Sequence, residues 1–172
     1  HLLDKKGEEV FQLTSEAVRI GYGLLEEKGS FIEGWEPASQ TRWNISGNEA
    51  CGLGALRGGI KYAAAYPITP ASDIVEYLAP RLDKVGGNVM IAEDELAAIN
   101  MAIGGSFGGV PSMTATSGPG VSLMTEALGL AVASEIPALL INVMRGGPST
   151  GLPTKSEQTD LSQALFGLHG EA

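Results

Sequence analysis

Cysteine is almost missing from this chain: Cys51 stands alone among 172 residues. A single thiol excludes an internal disulfide framework, and it excludes an iron–sulfur cluster held by four cysteines of this chain. Basic residues are scarce as well. The sequence carries 11 Lys and Arg against 20 Asp and Glu, for a net charge of −9, and no basic cluster is present. Duplex DNA or RNA is therefore not an expected partner, and the acidity serves solubility. No apolar run reaches the ~18 residues that a membrane span needs, and no charged-then-apolar leader opens the chain. A cytoplasmic protein is expected. Also lacking are the G-x-G-x-x-G and Walker nucleotide signatures, and any cluster at metal-ligand spacing.

Glycine, by contrast, is abundant. Its 24 residues are about twice the share usual in a soluble protein, which points to close backbone approach at turns and between packed helices. With 44% hydrophobic residues, the chain can bury a core for roughly one domain plus a remnant. It opens at His1 without a start methionine and stops at Ala172, so it reads as a fragment or processed piece of something longer.

Residues 1–29 form a separate helical element. Thr14 or Ser15 is a candidate cap for a helix through Lys28, with Ala17, Val18, Gly21, Leu24 and Leu25 as its apolar stripe and Gly29 as its stop. Residues 30–46 lack periodicity and read as a linker, with Trp35 and Trp43 pinning it to a surface. From residue 47 to 172 the pattern is regular αβ alternation. Helices are expected over 48–58, after Pro70, over 94–104 and over 120–134. Strands are expected over 62–66, 89–92, 112–116 and 138–143. Thr69 reads as an N-cap with Pro70 at the first helical position, and Pro80 bends or ends that helix. Ile74, Val75 and Leu78, then Leu96, Ile99 and Ile103, then Met124, Leu128 and Ala131, give the inward faces. The nearly all-apolar run 138–143 reads as a strand covered on both sides. This alternation implies an α/β fold, a doubly wound parallel sheet in three layers.

Three strand-to-helix handovers carry polar or glycine-rich residues: Tyr66–Pro70 (YPITP), Glu93–Glu95 (EDE) and Thr116–Gly120 (TSGPG). In an open parallel sheet such handovers share the carboxyl edge, where ligands bind. Glu95 opens a helix and is followed by small residues, but Glu93 and Asp94 compete for any role, and a carboxylate here also simply favours the helix dipole. Ser117, Gly118 and Gly120 make a cradle for an anion or flat ring, or ordinary turn chemistry. Arg145, after the last strand, suits bidentate capture of a carboxylate or phosphate, or a surface ion pair. His169 is isolated.

Together and in order, these motifs resemble the α subunit of 2-oxoacid:ferredoxin oxidoreductases. The resemblance runs through Gly47–Ala50, Tyr66–Pro70, Glu93–Ile99, Thr114–Gly120, Arg145–Thr154 (RGGPSTGLPT), Gln158–Leu161 and His169–Glu171. It covers the pyrimidine-binding module of that thiamine-diphosphate family, truncated at its C-terminal end, and residues 1–29 look like the last helix of a fused γ domain. The resemblance implies that Glu95 hydrogen-bonds the ring nitrogen of the cofactor's aminopyrimidine, favouring the imino tautomer that generates the ylid. A dry interface suits that task, because desolvation favours a carboxyl able to share a proton. It further implies that Thr69 and Arg145 face the 2-oxoacid carboxylate, and that Pro67, Ile68, Ser117, Gly118 and Gly120 line the pyrimidine pocket. The family's Gly-Asp-Gly motif for Mg2+ and its cluster cysteines do not occur here. By resemblance, Mg2+ and [4Fe–4S] clusters belong to a β subunit, and this chain alone is inactive. Coenzyme A would accept the acyl group, ferredoxin the electrons, and 2-oxoglutarate is the favoured 2-oxoacid. A non-oxidative thiamine decarboxylase or synthase subunit, and a non-catalytic binding module of the same fold, are the alternatives.

Overall fold

The computed structural model describes residues 7–24, 42–148, 157–158 and 160–169. Its contacts divide the chain into two units, residues 1–43 and 44–172.

The first unit contains one described helix, α1 (Glu8–Gly23), which begins at Gly7 rather than at Thr14 or Ser15. Thr14 lies two turns inside, and its hydroxyl donates back to the Val10 carbonyl at 2.7 Å, the alternative open to a threonine within a helix. No residue of α1 is buried within the unit. The expected continuation to Lys28, Gly29, and Trp35 in the linker lie outside the described residues. Trp43 is 71% exposed, against the expectation that it packs on a surface.

The second unit is a four-stranded parallel sheet: β1 (Tyr62–Ala65), β2 (Asn88–Ile91), β3 (Ser112–Thr116) and β4 (Leu139–Asn142), in the order β2-β1-β3-β4. The chain steps outward from β1 to β2, then crosses back to β3 on the other side of β1. A topological switch point therefore lies between β1 and β3. Two layers of helices cover the sheet. On one face, α2 (Gly47–Arg57) and α3 (Ser72–Leu82) pack over Ala63, Met113 and Ala115, with Ile74, Leu78 and Leu82 wholly buried. Each of those three side chains contributes about 1.5–3 kcal/mol by leaving water. On the other face, α4 (Glu95–Phe107) and α5 (Gly118–Ala133) enclose Ile99, Ile103, Met124, Ala127 and Ala131. The three-layer doubly wound sheet expected from the alternation is present.

Local chemistry explains where the elements begin. Ser46 and Glu49 close a capping box at the start of α2: the Ser46 Oγ accepts from the Glu49 N–H at 3.2 Å, and the Glu49 carboxylate accepts from the Ser46 N–H at 2.7 Å. Helix α3 starts later than expected. Residues 69–71 form a turn in which the Ser72 N–H bonds to the Ile68 carbonyl at 3.1 Å, so Thr69 is not its N-cap and Pro70 is not its first residue. Pro80 falls in the last turn without ending it, and Gly86, with φ 73°, reverses the chain toward β2.

Two burial expectations need correction. Leu96 is 50% exposed, because α4 turns Glu95, Ala98, Ile99 and Ala102 inward instead. Strand β4 is only partly covered, since it forms an edge of the sheet with no further strand beside it among the described residues.

Candidate functional site

All strands point the same way, so the loops after β1, β2 and β3 and the segment after β4 emerge on one edge. That edge gathers Tyr66–Pro70, Glu93–Glu95, Ser117–Gly120 and Arg145.

The three clustered acids separate cleanly. Asp94 is the N-cap of α4: its Oδ1 accepts from the Ala97 N–H at 2.7 Å. Glu93 is exposed. Glu95 is 8% exposed, in the first turn of α4. Because Asp94 satisfies the helix end, the Glu95 carboxylate is released from capping and held in the interior, beside the positive end of the helix dipole. Replacing Asp94 by Ala should therefore cost about 1 kcal/mol of stability, read as a lower denaturation midpoint, while leaving Glu95 chemistry in place. Loss of activity out of proportion to stability would transfer the catalytic assignment to Asp94.

Helix α5 comes very close. At Gly120 an added Cβ would overlap the Thr116 Oγ and lie 2.9 Å from the Glu95 Cγ. Only glycine lets α5 approach both. At Gly118 an added Cβ would overlap the carboxylate of Asp160, which stands just before α6 (Leu161–Phe166) and accepts from the Asn142 Nδ2 at 3.3 Å. Ser117 precedes α5 but makes no side-chain cap; its hydroxyl is fully buried without a partner.

Arg145 is not a surface residue. It is 6% exposed, and its Nη1 donates to the Thr69 carbonyl at 2.7 Å, joining the segment after β4 to the loop after β1. Its Nε has no partner. Within that loop Thr69 and Pro67 are exposed and Ile68 is half-buried. Asn48 of α2 donates to the Pro70 carbonyl at 2.9 Å from the other side, a contact that the sequence reading did not anticipate.

Among the described residues, five buried polar atoms lack partners: the Thr114, Thr116 and Ser117 hydroxyls, the Asn142 Oδ1 and the Arg145 Nε. Four of them stand at the carboxyl edge, at Thr116, Ser117, Asn142 and Arg145. Unpaired buried polar groups are costly, and a cluster of them beside a buried carboxylate has the character of a surface built for a polar ligand. A flat, nitrogen-bearing ring against Glu95, with Gly118 and Gly120 offering bare backbone, fits that chemistry. Two concavities lie elsewhere. One of about 380 Å³, lined by Ile60, Val110, Pro111 and Leu139, and one of about 530 Å³ beside Tyr62 and Asn88, open at the opposite edge where the strands begin. His169 lies against Gly129 on α5, away from the edge. Residues 149–154, Thr159, Gly170 and Glu171 of the recognised motifs lie outside the described residues. Among the described residues, no group of three or more His, Cys, Asp and Glu is placed to hold a metal ion, and no helix is long and apolar enough to cross a membrane.

A parallel three-layer sheet with this edge is a ligand-binding α/β architecture. The chain belongs to the pyruvate flavodoxin/ferredoxin oxidoreductase, thiamine diphosphate-binding family, whose model matches residues 53–170. It is 48% identical over 127 residues to the 2-oxoglutarate synthase subunit KorA of Methanocaldococcus jannaschii, covering 74% of this chain and 35% of that one. With subunit alpha of 2-oxoacid:ferredoxin oxidoreductase 1 from Sulfurisphaera tokodaii, it shares 44% identity over 170 residues, 90% of this chain and 26% of the relative. Among solved structures, the 2-oxoglutarate:ferredoxin oxidoreductase of Magnetococcus marinus, with 2-oxoglutarate, coenzyme A and succinyl-CoA bound, superposes with a TM-score of 0.84 at 47% identity. That match covers 98% of this chain and 30% of the neighbour. The chain thus spans about a quarter to a third of the length of these relatives.

Proposed function

We propose that this chain is the pyrimidine-side module of the α subunit of a 2-oxoacid:ferredoxin oxidoreductase, acting on 2-oxoglutarate, with residues 1–29 the end of a fused γ domain. The observation that carries the reading is Glu95: a buried carboxylate, freed from helix capping by Asp94, at the carboxyl edge of a sheet in this family.

Thiamine diphosphate, when bound, supplies a nucleophilic carbon and an electron sink for decarboxylation. This chain's residues bind and orient. Glu95 hydrogen-bonds the aminopyrimidine ring nitrogen and holds or releases its proton. Ser117, Gly118 and Gly120 would line the ring, together with Pro67 and Ile68. Arg145 pairs with the substrate carboxylate through its remaining N–H groups, and the Thr69 hydroxyl hydrogen-bonds the same group. The chain offers one wall only. A β subunit brings the diphosphate site with Mg2+ and the [4Fe–4S] clusters, and the assembly works in the cytoplasm. The 2-oxoacid and coenzyme A become acyl-CoA and carbon dioxide, with two electrons delivered singly to ferredoxin. The names of the relatives, and the ligands of the Magnetococcus marinus neighbour, support 2-oxoglutarate over pyruvate.

The test is viologen-dye reduction by the full-length α subunit assembled with its partner, comparing 2-oxoglutarate with pyruvate and omitting coenzyme A in turn. Reduction that needs coenzyme A and is at least 10-fold faster with 2-oxoglutarate is the expected result. Carbon dioxide release without dye reduction would instead select a non-oxidative thiamine enzyme.

A further inference from the structure

Asp160, in the motif Gln158–Leu161, comes back to the start of α5 from far along the chain. A Cβ at Gly118 would overlap both carboxylate oxygens of Asp160 and its Cγ, so the space that a side chain would take there belongs to that carboxylate. Asp160 is half-buried, and one of its oxygens accepts from the Asn142 Nδ2 at the end of β4. From there the chain follows α5. The Gln163 amide bonds the Ser122 hydroxyl at 3.2 Å and its Nε2 donates to the Thr125 Oγ1 at 3.4 Å, and His169 lies against Gly129.

The start of α5 has reason to draw on a carboxylate from outside. A helix leaves its first N–H groups without intrahelical acceptors and carries there the positive end of its dipole. Helices α2 and α4 meet this with their own N-cap side chains, Ser46 and Asp94. Ser117 holds the same position in α5 but makes no side-chain cap, and the first turn contains no acidic residue. Two carboxylates flank that turn instead. Residues two apart on a helix point to nearly opposite sides. Glu95 thus stands against Gly120 on the α4 side, and Asp160 against Gly118 on the other.

We propose that Asp160 is a positioning residue for the ring cradle: its carboxylate serves the end of α5 in place of the cap that Ser117 does not make, and it ties the turn Ser117–Gly120 to β4 through Asn142. This rests on the assignment of that turn as a wall for the cofactor's ring. Asp160 acts through Gly118 and takes no part in the reaction itself. A carboxylate brought in from outside steadies the helix end without placing a side chain of the turn in the way of the ring. Placement of that wall matters because small displacements of a bound reactant are costly to its binding and its chemistry.

The test uses the full-length α subunit assembled with its partner and stripped of cofactor, carrying Asp160→Ala, Asp160→Asn or, as a control, Gln163→Ala. Calorimetry gives the dissociation constant for thiamine diphosphate with Mg2+. Steady-state kinetics at saturating cofactor give the KM for 2-oxoglutarate. Asp160→Ala should weaken cofactor binding about 10-fold, the size of a lost helix cap, and leave KM within about 2-fold. Asp160→Asn keeps an acceptor without the charge and should recover part of the loss. Gln163→Ala loosens α6 on α5 without touching Gly118, so it should lower the melting temperature and leave the dissociation constant in place. An unmoved dissociation constant in Asp160→Ala, an equal rise in Gln163→Ala, or no recovery in Asp160→Asn would overturn the proposal. If the parent assembly bound no thiamine diphosphate, the cofactor assignment beneath it would fall instead.

Discussion

Glu95→Gln in the assembled enzyme is expected to lower dye reduction by about 100- to 10,000-fold, the span that removal of a general acid–base group produces. Glutamine keeps the shape and one donor, but it cannot gain and lose a proton. Glu95 is also small in its structural contribution. The helix end is held by Asp94, whose Oδ1 already takes the Ala97 N–H, so α4 keeps its cap in the variant. Melting should therefore change little while turnover collapses, and cofactor affinity measured by calorimetry should weaken far less than the rate. The rival in which this fold is a non-catalytic binding module predicts the reverse, a stability change of about 1 kcal/mol or less and nothing else. Unchanged turnover would remove Glu95 from the reaction.

Replacing Arg145 by Gln should raise the KM for the 2-oxoacid roughly 10- to 100-fold, since hydrogen bonds to a charged group are worth about 1.5–3 kcal/mol. The guanidinium is buried and bound to the Thr69 carbonyl, and its Nε is unpartnered. Among the described residues its bonded partner is a carbonyl rather than a carboxylate. Arg145→Lys should recover only part of the loss, because an ammonium supplies charge without the planar fork. Steady-state kinetics with 2-oxoglutarate decide the matter. A KM that stays put in Arg145→Gln would mean that the arginine only ties two loops together.

The fold was readable in the sequence because parallel βαβ units write themselves as apolar strands separated by helices of one repeat length. Strand β3 matches its expected bounds of 112–116, β1 differs from its own by one residue at one end, and β2 and β4 differ from theirs by one residue at each end. Helix starts were harder. Thr69 followed by Pro70 has the composition of a cap, yet the chain inserts a turn there, and what holds it is Arg145, a residue 76 positions away. Local pattern carries no trace of such a partner. Leu96 misled for a similar reason: its spacing with Ile99 and Ile103 fits a helical stripe, but Glu95 occupies the inward position beside it, against the usual preference for burying leucine over glutamate. That inversion agrees with the role proposed for Glu95. Spacing could not choose among Glu93, Asp94 and Glu95, whereas capping geometry and burial tell them apart. Asn142 went unnoticed because its register with Thr116 exists only across strands, and Thr116 reads as the end of a strand and the first residue of the TSGPG turn, not as a buried threonine.

The loop after β1 is fastened at two successive carbonyls by unrelated parts of the chain: Thr69 from Arg145 beyond the last strand, and Pro70 from Asn48 in the first helix of the sheet unit. Its shape is consequently fixed by folding. On the role proposed for Thr69, a substrate there would meet backbone that has already lost its freedom, so the entropic cost of ordering this wall falls on the protein's own stability and not on affinity. Loosening the Asn48 tether should be felt as weaker binding at a loop that Asn48 itself never shares with the substrate.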